Sequence, residues 1–358
     1  MKRREFLALT AATLTMPVWA ATLRPLKILI LGGTGFIGPH QVETALGRGH
    51  QVTIFNRGKS GPEMFPQVEQ LLGDRDNDLK ALEGRTWDAV IDNSGYIPRW
   101  VKQSAELLKG HVGQYLYMSS ISIYADNSIV GQSETGRVQK LKDPTSEDTS
   151  ASNYGGMKAL SEDYVRASFP KTSTLIRPGL VVGAGDPTDR FTYWPVRMFE
   201  GGEVLAPGSP NDPVQFIDVK DLAQWTIEAI EQKHLGTYNV TGPYQQLTMG
   251  SLLKTVRETT HSEAELVWVS AEFLKREKVS PWTDLPLWVP PTSDMKGFVT
   301  VDVNKAVNTG LQFRPLSVTV QDALAWYRTM DDGLPLKAGL TREREKELLK
   351  KWKLFNQG

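Results

Sequence analysis

Tyr154 and Lys158 stand four residues apart in NYGGMKALSEDYVRAS (153–168), which reads as a helix despite Gly155 and Gly156. At that spacing both side chains share one helix face. A lysine ammonium near a phenol favours phenolate and lowers the tyrosine pKa. Such a tyrosine can take a proton from a substrate hydroxyl while hydride leaves the same carbon for a nicotinamide. Of the ten tyrosines, only Tyr154 has lysine four positions on. The competing reading is an exposed helix pair of negligible energy. Upstream, the apolar run QYLYMSS (114–120) ends in Ser119-Ser120-Ile121-Ser122. A serine at that edge could hydrogen-bond the reacting oxygen, or could simply satisfy strand-end backbone.

A second constellation supplies the nicotinamide. LKILILGGTGFIG (26–38) is an apolar run that enters a glycine-rich turn, followed by the helix-compatible PHQVETALGRGH and a second apolar run, QVTIF (51–55). Strand, turn, helix and strand are the context a dinucleotide-binding turn requires. Gly32 allows the tight turn, Gly35 lets backbone N–H groups reach a pyrophosphate, and Gly38 lets helix pack on strand. Phe36 and Ile37 open the helix, whose positive end would face the anion.

These elements continue through the first half of the chain. Strands are expected at 68–74, 87–95, 114–120 and 172–178, and helices at 78–84, 98–110 and 153–168. Residues 125–151 read as a polar, irregular excursion. Strands alternating with helices predict an α/β fold, a Rossmann-type doubly wound parallel sheet. Past Pro178 the chain becomes rich in Gly, Pro and Trp, with short helices at 219–232, 248–258 and 317–329. The division expected is a dinucleotide-binding domain over 26–180, a smaller substrate lobe over 181–340 with segments returning to the sheet, and a charged amphipathic helix over 341–358. Leu348, Leu349 and Trp352 would dock that helix.

The 358 residues are 40% hydrophobic and 23% charged with a formal net charge of +0, which argues for neither nucleic acid nor a membrane surface. No stretch of 18 apolar residues predicts a membrane span. Cysteine is absent, so thiol nucleophiles and disulfides are excluded. The five histidines are scattered without metal-ligand spacing, so no metal site is expected. Residues 1–20 have the layout of a secretory signal: Lys2, Arg3 and Arg4, an apolar stretch, and Val18-Trp19-Ala20 before a cleavage point. Arg3-Arg4-Glu5-Phe6-Leu7 has the form of a twin-arginine signal, which predicts export to the periplasm.

Taken in order, GGTGFIG (32–38), Gly73-Asp74, Asn93-Ser94-Gly95, YMSSISIY (117–124), Tyr154 with Lys158, and RPGLVVGAGD (177–186) resemble the extended short-chain dehydrogenase/reductase family, the NAD-dependent sugar epimerases and dehydratases. The resemblance spans residues 26–240. It implies Tyr154 as acid/base, Lys158 as its electrostatic partner and ribose ligand, and Ser120, with Ser122 as the alternative, as hydroxyl donor. It further implies Asp74 near the adenine, Asn93, Ser94 and Gly95 along the cofactor, and a homodimer. FIDVKDLA (216–223) resembles the segment that opens a helix beside the substrate.

Two departures qualify what the resemblance implies. Asn56, Arg57 and Lys59 stand where NAD enzymes usually place an acidic residue, which suits a 2′-phosphate and favours NADP over NAD. Pro213-Val214-Gln215 stands where nucleotide-sugar enzymes typically carry an arginine; Arg190, Arg197 and Lys220 are the possible substitutes. Trp194, with Trp282 and Trp288, would suit a sugar ring. The activity expected is an NAD(P)-dependent epimerase, dehydratase or oxidoreductase acting on a sugar-like compound. Outside the cytoplasm a dinucleotide cannot readily exchange, so a redox-neutral cycle with tightly held cofactor is expected. The alternatives are a net NADPH-dependent carbonyl reductase and a non-catalytic dinucleotide- or RNA-binding protein.

Overall fold

The computed structural model describes residues 24–61, 63–330 and 335–356. The export signal read over residues 1–20 lies outside them.

The first half follows the alternation set by the sequence. β1 (Lys27–Leu31) leads through the glycine turn to α1 (Ile37–Gly47), then β2 (Gln51–Asn56) and β3 (Glu69–Leu72). β4 (Trp87–Asp92), α2 (Pro98–Leu108), β5 (Val112–Met118), α3 (Ala151–Ser168) and β6 (Ser173–Pro178) complete the expected series. The stretch 78–84 forms only a single 3-10 turn at Lys80–Leu82. β1 is buried from Ile28 to Leu31, as a parallel strand covered on both faces must be.

Gly155 and Gly156 sit inside α3 for a packing reason. A Cβ on Gly155 would lie 2.3 Å from the Ser122 carbonyl oxygen, and one on Gly156 would lie 2.9 Å from Leu141 N. The returning end of the irregular excursion lies directly on this helix. Two glycines cost about 1 kcal/mol each in propensity, so the close approach has to offset that.

The second half supplies strands that the sequence reading did not find. β7 (Leu180–Val182), α4 (Tyr193–Phe199), β8 (Glu203–Pro207), β9 (Pro213–Asp218), α5 (Val219–Glu231) and β10 (Gly236–Val240) come first. β11 (Gly242–Thr248), α6 (Met249–Thr259), β12 (Glu265–Val269), α7 (Ala271–Arg276), α8 (Asn304–Val307), α9 (Leu316–Tyr327) and α10 (Arg342–Phe355) follow. The main sheet has the order β10-β6-β5-β4-β1-β2-β3, parallel throughout. A three-stranded sheet, β11-β9-β7, and a two-stranded pair, β12-β8, belong to the other lobe.

The chain therefore crosses between the lobes more than once. It leaves the main sheet after β6, returns with α5 and β10, and leaves again. Arg48 and His50 both hydrogen-bond Glu231, which ties α5 to the first βαβ unit. In the second lobe Leu348 and Leu349 of α10 are buried in the core with Trp352 against it, and Arg197 Nε donates to Glu345 Oε2 at 2.7 Å.

Candidate active site

The carboxyl ends of the main-sheet strands open on a cavity of about 760 Å³, roofed by the second lobe. Its floor begins at the glycine turn. Gly32 has φ +89, a left-handed backbone that disfavours a side chain. A Cβ on Gly38 would lie 2.5 Å from the Gly32 carbonyl oxygen, so α1 closes on the turn only with glycine there. A Cβ on Gly35 would meet nothing within 4 Å, because that position faces the cavity. The turn is a cradle that a side chain at 35 would fill, and the start of α1 points its N–H groups along it. This fits a dinucleotide pyrophosphate.

Phe36, Ile37, Asn56, Arg57, Lys59, Asp74, Asn93 and Ser94 also line the cavity. Asn56 Oδ1 accepts from Gly58 N at 2.7 Å, which shapes the turn after β2, and Arg57 and Lys59 are exposed there. Asn93 Nδ2 donates to Gln41 Oε1 at 2.6 Å, while its Oδ1 is buried without a partner among the described residues. Gly95 is a correction: it does not line the cavity. Its carbonyl accepts from Lys158 Nζ at 3.1 Å and from the Tyr117 hydroxyl at 2.8 Å, so its part is to hold the lysine.

Arg75 was missed by the sequence reading. Its Nη1 and Nη2 donate to Asp92 Oδ1 and Oδ2 at 2.5 and 2.9 Å, and Nη2 also reaches Ser104 Oγ at 2.7 Å. Tyr115 donates to the same carboxylate at 2.7 Å. This buried pair clamps the loop carrying Asp74 to the end of β4. An arginine directly after a cofactor-side aspartate was the only available signal.

α3 brings Tyr154 and Lys158 to the cavity beside Ser120 and Ser122. Ser120 caps the short 3-10 turn Ile121–Ile123, its Oγ accepting from Ser122 N at 3.1 Å. The Ser120 hydroxyl also hydrogen-bonds the Tyr154 phenol. Lys158 Nζ donates to the carbonyls of Met118 and Gly95 at 2.8 and 3.1 Å and lies 5.9 Å from the Tyr154 ring centroid.

The expected depression of the Tyr154 pKa is absent from the protein by itself. Burial pushes the phenol up to about 12, Tyr96 adds to this, and Ser120 and Arg190 pull the other way. Burial likewise brings Lys158 down to about 8, against Asp92 and Glu162. Lys158 donates to backbone carbonyls, and desolvation sets the direction of the phenol's shift. The cationic charge of a bound oxidised nicotinamide would shift the tyrosine toward phenolate.

Of the substrate candidates, Ser122 and Arg190 line the cavity and Trp194 does not. Trp194 is fully buried in the second-lobe core, its Nε1 donating to Pro286 O at 2.8 Å. Trp288 is buried too, donating to Asp212. Trp282 alone of the three faces the cavity, with Phe298 edge-on to it at 5.4 Å. Arg197 is engaged with Glu345 and Lys220 with Asp322, so neither serves the cavity. Gln215, just before the FIDV segment, is buried and bonded to Val301. Among the described residues no group of three or more His, Cys, Asp or Glu could hold a metal ion, and no helix is long and apolar enough to cross a membrane.

The sequence model of the NAD dependent epimerase/dehydratase family matches residues 28–241. The chain is 28% identical over 241 residues to the "chloroplast stem-loop binding protein of 41 kDa b" of Arabidopsis thaliana, covering 60% of this chain and 58% of that protein. It is 30% identical over 183 residues to a "3 beta-hydroxysteroid dehydrogenase/Delta 5-->4-isomerase" of Mycobacterium tuberculosis, covering 45% and 49%. The chain thus spans about half the length of these relatives. Its fold superimposes on that of the UDP-glucuronic acid 4-epimerase from Bacillus cereus in complex with NAD, with a TM-score of 0.62 and 17% identity, covering 87% of this chain and 99% of that one. At that identity the likeness is one of fold.

Proposed function

Because the chain belongs to the NAD-dependent epimerase/dehydratase family, we propose that it oxidises a hydroxyl-bearing carbon of a sugar-like substrate and restores it in altered form within one cycle. The observation that carries this reading is the meeting of Tyr154, Lys158 and Ser120 with the glycine cradle in a single cavity. When bound, the nicotinamide supplies the hydride acceptor and donor. Tyr154 takes and returns the proton of the reacting hydroxyl. Ser120 donates to the same oxygen, with Ser122 second in line. Lys158 fixes the ribose side of the site.

Tight retention of the cofactor is supported by contact between the start of α1 and the second lobe. His40 Nε2 and the Ala184 carbonyl are 3.2 Å apart, and Gly185 approaches Phe36. The residues after β2 favour NADP: Arg57 and Lys59 are exposed at the cavity rim with no ion-pair partner among the described residues, while the family description names NAD. Export through a twin-arginine signal would carry the protein folded and loaded, which favours a cycle that needs no cofactor exchange. A homodimer is part of the same proposal.

Mass spectrometry of the nucleotide released on denaturing the purified protein tests this. Stoichiometric NAD(H) or NADP(H) supports the self-restoring cycle. A cofactor that exchanges freely and is consumed mole for mole would instead make the protein a net carbonyl reductase. The stem-loop-binding relative keeps a binding role in play. Tyr154→Phe separates the two, since it removes turnover from an enzyme and leaves a binder unaffected.

A further inference from the structure

We propose that Arg190 is a carboxylate receptor in the substrate half of the cavity, so that the substrate carries a carboxylate close to its reacting carbon. This deepens the proposed activity and rests on it only for the identity of the reacting carbon.

Five cations line the cavity: Arg57, Lys59, Arg75, Lys158 and Arg190. Arg57 and Lys59 stand at the end of β2, beside the nucleotide end. Arg75 is consumed by Asp92, and Lys158 donates to two carbonyls. Arg190 is the cation that the second lobe contributes, and it makes no ion pair among the described residues.

The way it is held leaves its terminal fork free. Arg190 Nε donates to Thr188 Oγ1 at 3.1 Å, and that hydroxyl donates to Asp186 Oδ1 at 2.7 Å. The guanidinium lies over the Trp282 ring, 5.2 Å from its centroid. Nη1 and Nη2 have no partner among the described residues and are not shut away from the cavity. A planar fork fixed through Nε and by a flat aromatic neighbour presents two parallel N–H groups, the geometry that grips a carboxylate bidentately.

The backbone around it is held in costly conformations. Asp189, the residue before Arg190, has φ +58, and Trp282 itself has φ +69. Left-handed backbone is uncommon for non-glycine residues and an outlier for a bulky one. It persists only where surrounding structure over-determines it, which is most common at functional sites. Here Asp189 Oδ2 accepts from Lys337 N at 3.0 Å, Lys337 Nζ donates to Pro187 O at 3.0 Å, and Trp282 N donates to Trp288 O at 3.1 Å. Two segments nearly a hundred residues apart in sequence thus hold one cation in place. Asp186, whose Oδ2 is buried without a hydrogen-bond partner among the described residues, acts on Arg190 through its charge, but burial raises the carboxyl and lowers the arginine, which weakens that claim. Arg190 and Tyr154 line the same cavity, so an anion gripped by the arginine shares it with the proton-transfer group, and the arginine's charge pulls the phenol down.

The test is binding by the dinucleotide-loaded full chain, followed by calorimetry and by Trp282 fluorescence. The probes are D-glucuronate against D-glucose, L-lactate against propane-1,2-diol, and UDP as a diphosphate. The expected result is binding of the carboxylates at least about tenfold tighter than of their neutral partners, the effect of one charge-assisted contact. Arg190→Gln should abolish that preference without changing dinucleotide affinity or melting temperature. Arg190→Lys, which keeps the charge and loses the fork, should restore only part of it. Equal affinity for acid and neutral partner, no binding of any carboxylate, or a preference that survives in Arg190→Gln overturns the proposal. So does Arg190-dependent binding of UDP without the carboxylates, which would make the site a diphosphate clamp. Should carboxylates bind through Arg190 while no probe ever reduces the dinucleotide, the receptor stands and the catalytic reading falls.

Discussion

The two walls of the cavity treat charge differently. On the sheet side, Arg75 is locked to Asp92, and Lys158 gives two of its three hydrogens to main-chain carbonyls. On the lobe side, Arg190 is braced by Thr188 and Trp282, with its terminal nitrogens unclaimed among the described residues. The first wall uses Arg75 and Lys158 to hold shape and leaves Arg57 and Lys59 exposed at its rim. The second keeps one cation available for whatever substrate this chain takes. A cation whose hydrogens go to the protein itself holds shape; one with hydrogens to spare can grip an anion.

That contrast can be broken most sharply at the reacting oxygen. Tyr154→Phe should lower turnover by about 10²- to 10⁴-fold, the usual worth of positioned acid–base catalysis, with dinucleotide binding and melting temperature nearly unchanged. Loss of dinucleotide binding would mean that the tyrosine belongs to the cofactor wall alone. Next in size is the sheet wall itself. Arg75→Met strands a buried carboxylate and should cost about 3–5 kcal/mol in urea unfolding, most of which Asp92→Leu in the same chain should recover. A small loss from Arg75→Met would show that the clamp is not what shapes this wall.

Lys158 sharpens the comparison through pH. Its folded pKa of about 8 lies below the ordinary 10.5, so the unfolded chain binds the extra proton between those values. Below pH 8 the folded protein carries the full cost of a buried ammonium; above 10.5 that cost is gone. Wild-type stability relative to Lys158→Met should therefore rise by about 3 kcal/mol as pH climbs from 8 to 10.5. A constant difference across that window would show that the two carbonyls fully compensate the charge. The smallest effect belongs to the exposed rim. Replacing Arg57 and Lys59 by alanine should weaken NADP binding by about three- to tenfold and leave NAD untouched. Equal changes for both dinucleotides would remove the case for a 2′-phosphate.

How far these features were legible in the sequence differs between the walls in the same way. The inner strands of the main sheet, such as β1 and β4, announce themselves as apolar runs because both faces are covered, whereas the edge strand β10 does not. Its turn is legible because only glycine fits at Gly38 and Gly32, whatever the rest of the chain does. In the second lobe β8 and β12 are five residues each and β7 three, set among Gly and Pro, so neither length nor alternation marks them. α4 was hidden by Pro195, which falls in the first turn of the helix, where no N–H is needed. Trp194 and Trp282 are the same residue type in similar company; one fills the core and the other faces the cavity. Local sequence carries no record of which.

What the sequence determined by itself is the dinucleotide half: strand, glycine turn, helix, and a tyrosine and lysine on one helix face. Those follow from backbone sterics and helical periodicity, which act over a few residues. Tertiary structure alone decided that Arg75 finds Asp92, that the Gly95 carbonyl holds Lys158, that burial raises the Tyr154 phenol, and that Arg190, not Arg197 or Lys220, lines the cavity without an ion pair among the described residues. Each of these depends on which distant group arrives to claim a charge, and on how much water the meeting excludes.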